Sequence, residues 1–252
     1  MTPAAWDRFV ETRERYRAET ERLQKTLPKL QATLQKFVDG RTPSYQVETP
    51  IVYNGALDDL TRESEIRLIL VGDNPGRNEQ AAENRRYLVG LSGKIAEKFF
   101  RDNPSLGIDF RKNVIILNKT PIHTPRTAEL RELCRLGGAH IEKALVESQR
   151  LMARLLAEFQ QALSGKGRAP LPVWITGYSE MKKGGVFEAY TSELKSIYGK
   201  PAGDALGDSL FLYRHFSMNQ FTIDLKKQAL PDEPLAQTLG RIGRAYRQRF
   251  LY

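Results

Sequence analysis

The chain has 252 residues, is 40% hydrophobic and carries a formal net charge of +9 with a single cysteine. That length can bury a sizeable core, and one large domain with appendages is expected rather than two independent ones. Cys134 alone excludes an internal disulfide and any cysteine-ligated zinc or iron–sulfur centre, while the positive balance favours polyanionic partners. No run approaches the roughly eighteen apolar residues of a membrane span. The opening MTPAAWDRFVETRERYR also lacks the apolar core of a signal peptide, so a cytoplasmic protein with no membrane partner is expected.

Residues 1 to about 40 read as helical. Tyr16, Leu23, Leu27, Leu30, Leu34 and Phe37 recur at three- and four-residue spacing, and Pro28 should break or bend the stripe. A helical extension over residues 1–45 is expected, docked on the main domain or serving as a partner- or DNA-contacting arm. Asp39-Gly40 with prolines 43 and 50 marks the way into a main domain spanning 46–252.

In that domain IRLILVGDNPG (66–76) is an apolar run ended by glycine, as a strand buried on both faces of a parallel sheet reads. Its turn combines Asp73 and Asn74 with Pro75, which fixes φ, and Gly76, which permits conformations closed to other residues. Residues 77–86 suit an exposed loop or short helix, and Ser92 is the expected N-cap of a helix carrying Ile95, Phe99 and Phe100 inward. A second strand, NVIIL (113–117), ends in Asn118-Lys119-Thr120-Pro121-Ile122-His123-Thr124-Pro125. Helices are expected from about 127 to 136 and 139 to 163, broken at Gly137-Gly138. After a Ser164–Gly167 turn come a third strand, PVWIT (172–176), and a polar stretch, 178–208, with helix near 187–197. The fourth strand, SLFLY (209–213), leads into Arg214-His215-Phe216-Ser217. A last helix follows Pro234, with Leu235, Leu239, Ile242, Tyr246 and Phe250 inward and Arg241, Arg244, Arg247 and Arg249 away or to the flanks.

Strands separated by long helical segments imply right-handed crossovers and a three-layer α/β/α fold around a central, mainly parallel four-stranded sheet. All four strand ends then share the edge where open α/β sheets bind ligands: Asp73/Asn74, Asn118/His123, Gly177/Tyr178 and His215/Ser217. The P-loop, the dinucleotide fingerprint and the nucleophile elbow are missing, and His123, His140 and His215 lack metal-binding spacing.

Gly72-Asp73-Asn74-Pro75-Gly76 resembles the first motif of the uracil-DNA glycosylase superfamily, in the G-x-N-P-G form of its mismatch-specific and single-strand-selective branches. Asn78-Glu79 and Leu88-Val89-Gly90 are similar to the thermophile-type branch. Asn118 resembles the uracil-reading asparagine, Lys119-Thr120-Pro121 the K-x-R-P continuation, and His215-Phe216-Ser217 the H-P-S motif. The resemblance covers about residues 66–225, in order and spacing. The chain departs from it in having no iron–sulfur cysteines, in Leu88 or Tyr87 standing where a phenylalanine stacks on the base, and in Phe216, which is expected to relax a loop that proline would stiffen.

The resemblance implies excision of uracil or a related deaminated base from DNA by hydrolysis of its glycosidic bond, without metal or cofactor. The sequence leaves the oligomeric state open, with a monomer favoured. His215 would donate to uracil O2 as charge develops there, and Asn74 would position water. Asp73, unlike an amide, can take water's proton. Asn118 would read O4 and N3–H, Tyr87 or Leu88 would stack on the flipped base, and Gly72, Pro75 and Gly76 would shape its seat. Met218 would fill the gap left in the stack, and Lys119, Arg126 and Ser217 would meet phosphates. A catalytically weak nucleic-acid-binding member of the same fold, or a small nucleoside or nucleotide hydrolase, is the alternative.

Overall fold

A computed structural model describes residues 1–40, 43–164, 169–199 and 205–252. The expected turn at Ser164–Gly167 lies, beyond Ser164, outside these residues. The polypeptide begins with α1 (Pro3–Thr26) and α2 (Leu30–Asp39), separated at Pro28 as the ring's missing N–H requires. Then follow β1 (Leu68–Gly72), α3 (Arg77–Gln80), α4 (Leu91–Asp102), β2 (Val114–Asn118) and the long α5 (Glu129–Leu163), kinked at Gly138 with φ +70°. The remainder is β3 (Val173–Thr176), α6 (Glu188–Tyr198), α7 (Ala205–Asp208), β4 (Leu210–Tyr213), α8 (Gln220–Gln228) and α9 (Leu235–Leu251).

The strands form one parallel sheet in the order β2-β1-β3-β4, with Gly72 opposite Asn118 and Thr176 opposite Tyr213 at its carboxyl edge. Alternation divides the core. Ile69, Val71, Ile115, Leu117, Val173, Ile175, Leu210 and Leu212 face a layer containing α1, α2, α5 and α6. Leu68, Leu70, Val114, Ile116 and Trp174 face α4, α8 and α9. This is the expected α/β/α sandwich, with every sheet pair parallel.

The stripe expected along residues 16–37 is buried, and α1 and α2 both pack on α5. One local expectation differs. The N-cap of α4 is Gly90, and Ser92 lies inside the first turn, because the chain enters from a tight turn at Leu88 rather than through a side-chain cap. The residues after Met218 form α8, whose Phe221 stacks on Phe216 with ring centroids 4.3 Å apart. No helix among the described residues is long and apolar enough to cross a membrane.

The chain runs from β1 outward to β2, then back across to β3. The strand order therefore reverses beside β1, and open α/β sheets leave a crevice at such a point, beyond the strands' carboxyl ends.

Candidate functional site

At that crevice lies a cleft of about 700 Å³, lined by groups from all four strand ends: Asp73, Asn74, Asn118, Gly177, Tyr178 and His215. Its volume falls within the roughly 300–1,000 Å³ typical of small-ligand sites.

Asn118 is the most unusual group in it. The residue is 2% exposed, and its Nδ2 has no hydrogen-bond partner among the described residues. A buried amide donor left unpaired costs about 1–3 kcal/mol. Gly72 makes room for this side chain: a Cβ there would sit 2.6 Å from Asn118 Oδ1. Asn74, by contrast, is satisfied by its surroundings. Its Nδ2 donates to Thr124 Oγ1 (2.9 Å) and to the Ile122 carbonyl (3.3 Å).

Asp73 is fixed through both oxygens. Lys119 Nζ donates to Oδ1 at 2.6 Å, and Thr127 Oγ1 lies 3.1 Å from Oδ2. The same Thr127 hydroxyl lies 3.2 Å from Asn74 Oδ1. One proton cannot fill both positions fully, so an acceptor oxygen remains for water. Gly177 completes the packing; its φ is +80°, and a Cβ would meet Asp73 Oδ1 at 2.5 Å.

His215 is held as one tautomer. The Ser217 backbone N–H donates to its Nδ1 at 3.0 Å, and Ser217 Oγ lies 2.9 Å from the same atom. With Nδ1 accepting, the proton of the neutral ring sits on Nε2, the donor free for the cleft. Burial lowers the imidazole pKa; the Asp73 charge opposes this and Lys119 reinforces it, so the ring is neutral at neutral pH.

Several expected roles are revised by where the side chains lie. Lys119 meets no phosphate: it is fully buried, with its ammonium bound to Asp73, to the Thr176 carbonyl (2.5 Å) and over the Phe187 ring. Burial lowers its pKa against the pull of Asp73. Tyr87 is no stacking platform; it is 1% exposed and donates to the Val52 carbonyl at 2.6 Å, with Tyr16 as neighbour. Leu88 is the one of the pair that lines the cleft.

Pro75 is buried, and its carbonyl accepts from His123 Nδ1 (2.8 Å), which withdraws His123 into structure. Gly76 has extended backbone that any residue adopts, and its N–H donates to Glu79 Oε2. Phe216 does not loosen its loop; at 1% exposed it pins the segment to Phe221 and Phe99. Ser217 spends its hydroxyl on His215, while Met218 and Arg126 stand exposed at the cleft's mouth. Arg241 is paired with Glu233, and Arg247 with Asp208 and the Gly207 carbonyl.

Thr127, Glu79, Arg77 and Arg214 also line the cleft, and none of them is given a role there by the sequence. Thr127 had marked only a helix start. Glu79 joins the cleft's two walls by accepting from the Gly76 and Leu88 N–H groups, and burial raises its pKa to about 7. A glutamate three residues after the helix-opening Gly76, the reciprocal half of a capping box, carried that signal.

No family model matches the chain, and no curated protein matches it in sequence. The fold and the cleft define an α/β protein with a polar cleft at a topological switch point.

Proposed function

We propose that the chain is a DNA base-excision glycosylase of the uracil-DNA glycosylase kind. Its substrate is uracil or a related deaminated base flipped into the cleft. The observation that carries this reading is the unpaired, buried Asn118 Nδ2 in the same cleft as the outward Nε2–H of His215. An exocyclic carbonyl such as O4 satisfies the first donor, and a second carbonyl, O2, the other. Cytosine offers an amine in place of O4 and would leave the amide unpaired.

The C1′–N bond breaks with its electron pair moving onto the base, where charge collects on O2. A neutral, preorganised donor at His215 stabilises that charge, a contribution of roughly 3–4 kcal/mol by analogy with oxyanion holes. Water held by Asp73 Oδ2 and Asn74 Oδ1 adds to C1′. Its proton passes to Asp73, because an amide cannot take one. Thr127 orients the pair and Lys119 keeps Asp73 in place. Arg77, Arg126 and Arg214 at the mouth, with the net charge of +9, suit a phosphate backbone. The partner is accordingly DNA.

The test is release of uracil from an oligonucleotide, read as alkali-labile strand cleavage. Wild type should produce abasic sites, and His215→Ala should lose on the order of 10²–10³ in rate. Salt-sensitive DNA binding without abasic product, or turnover of free nucleosides without DNA affinity, would overturn the proposal.

A further inference from the structure

The two most exposed large hydrophobics among the described residues, Met218 at 74% and Leu91 at 73%, both stand at the mouth of the cleft. Because α4 packs against the 217–219 turn, they belong to one edge. A single exposed leucine is ordinary, but two on one edge beside a polar cleft are not explained by packing.

Both are also rigidly presented. Leu91 opens α4 just after Leu88, a non-glycine residue with φ +52°. Leu88 is clamped on both sides: its N–H donates to Glu79 Oε1 (2.8 Å) and its carbonyl accepts from Arg111 Nη2 (2.9 Å). Gly93 lies so close beneath that a Cβ would run into the Leu88 carbonyl. On the other side, Met218 and Asn219 hold consecutive left-handed conformations (φ +52° and +56°) above Phe216, which anchors the turn. Backbone strain that persists in non-glycine residues beside a site is a sign that the position matters.

We propose that Leu91 is a second apolar wedge beside Met218, and that the pair makes duplex DNA the preferred substrate. The inference rests on the glycosylase reading and extends it. Flipping a nucleotide from a duplex leaves a slot bounded by the neighbouring base pairs and the orphaned opposite base. The slender methionine fills the slot, and the branched leucine covers the adjoining base face that would otherwise meet water. A single strand has no such slot, so Leu91 contributes nothing there. Unstacking by inserted apolar side chains is a general device of proteins that distort DNA.

The experiment compares kcat/KM for uracil excision from single- and double-stranded oligonucleotides of one sequence, with wild type, Leu91→Ala and Leu91→Met. Fluorescence of 2-aminopurine beside the uracil reports unstacking on binding. Leu91→Ala should lower duplex kcat/KM about tenfold, the equivalent of about 1.4 kcal/mol of lost leucine burial. It should also diminish the 2-aminopurine signal and leave single-strand excision unchanged, while Leu91→Met restores most of the duplex rate. Equal losses on both substrates, or none on the duplex, would overturn the inference. A wild type inactive on both would instead overturn the glycosylase reading.

Discussion

Replacing Lys119 by methionine separates a buried brace from a DNA contact. The ammonium is fully buried and bound to Asp73 Oδ1 (2.6 Å) and the Thr176 carbonyl (2.5 Å), with the Gly72 carbonyl at 3.4 Å. At 2.6 Å the Coulomb attraction is roughly 6 kcal/mol for an effective dielectric constant of about 20, and desolvation of both ions offsets most of it. Methionine keeps the volume but strands a carboxylate and the Thr176 carbonyl, while the Gly72 carbonyl keeps the backbone N–H of residue 119. Removing one partner of a buried pair costs about 3–5 kcal/mol, and the lower end applies here because the Asp73 side chain is 14% exposed and keeps Thr127. Urea unfolding followed by circular dichroism should therefore place Lys119→Met about 3 kcal/mol below wild type. Lys119→Met with Asp73→Asn should cost about 2 kcal/mol less than the sum of the single changes, since neither charge is then stranded. The salt dependence of DNA binding should keep its wild-type slope. A stability loss below about 1 kcal/mol, together with a slope shallower by about one unit, would refute the assignment and return Lys119 to the phosphates.

Other outcomes follow from single contacts. Gly72→Ala forces a methyl against Asn118 Oδ1, so excision should fall at least about tenfold, while the melting temperature changes far less than in Lys119→Met. Thr127→Val removes the hydroxyl shared by Asp73 and Asn74; kcat should fall with KM nearly unchanged, and Thr127→Ser should restore it. Two buried groups make opposite demands on pH. His123 has a folded pKa of about 4, below its unfolded value, so its contribution is present above about pH 6.5 and is lost as pH falls towards 4. Glu79, raised to about 7, works the other way: its contribution is full below about pH 4.5 and is lost as pH rises to 7. Each is on the order of 3 kcal/mol, so they nearly cancel between pH 4.5 and 6.5. Over that interval, relative to wild type, Glu79→Gln should gain stability as pH rises and His123→Gln should lose it. Parallel curves for both variants would contradict the assignment.

The sheet was legible because strands buried on both faces of a parallel sheet must be continuous apolar runs; LILV, VIIL, VWIT and LFLY stand out for that reason. The gathering of strand ends followed from topology alone, and it brought Asp73, Asn74, Asn118 and His215 to one cleft. What stayed hidden depends on contacts distant in sequence. Lys119 reads as a surface cation until Asp73 and Thr176, 46 and 57 positions away, are seen around it. Tyr87 and Leu88 are adjacent, and only the positive φ at Leu88 decides which of them lines the cleft. The two asparagines exchange characters for the same reason: Asn74 is satisfied by the 122–124 loop, whereas Asn118 Nδ2 finds no partner among the described residues. At Gly90 a cap without a side chain left no signal in the sequence.

The most direct test is a crystal structure with an oligonucleotide carrying a 2′-fluorinated deoxyuridine, whose glycosidic bond resists cleavage. The account predicts uracil extruded into the cleft, with O4 at about 2.9 Å from Asn118 Nδ2, O2 within hydrogen-bonding distance of His215 Nε2, and water against Asp73. A uracil left stacked in the DNA, or bound elsewhere with Asn118 Nδ2 still unpaired, would contradict it.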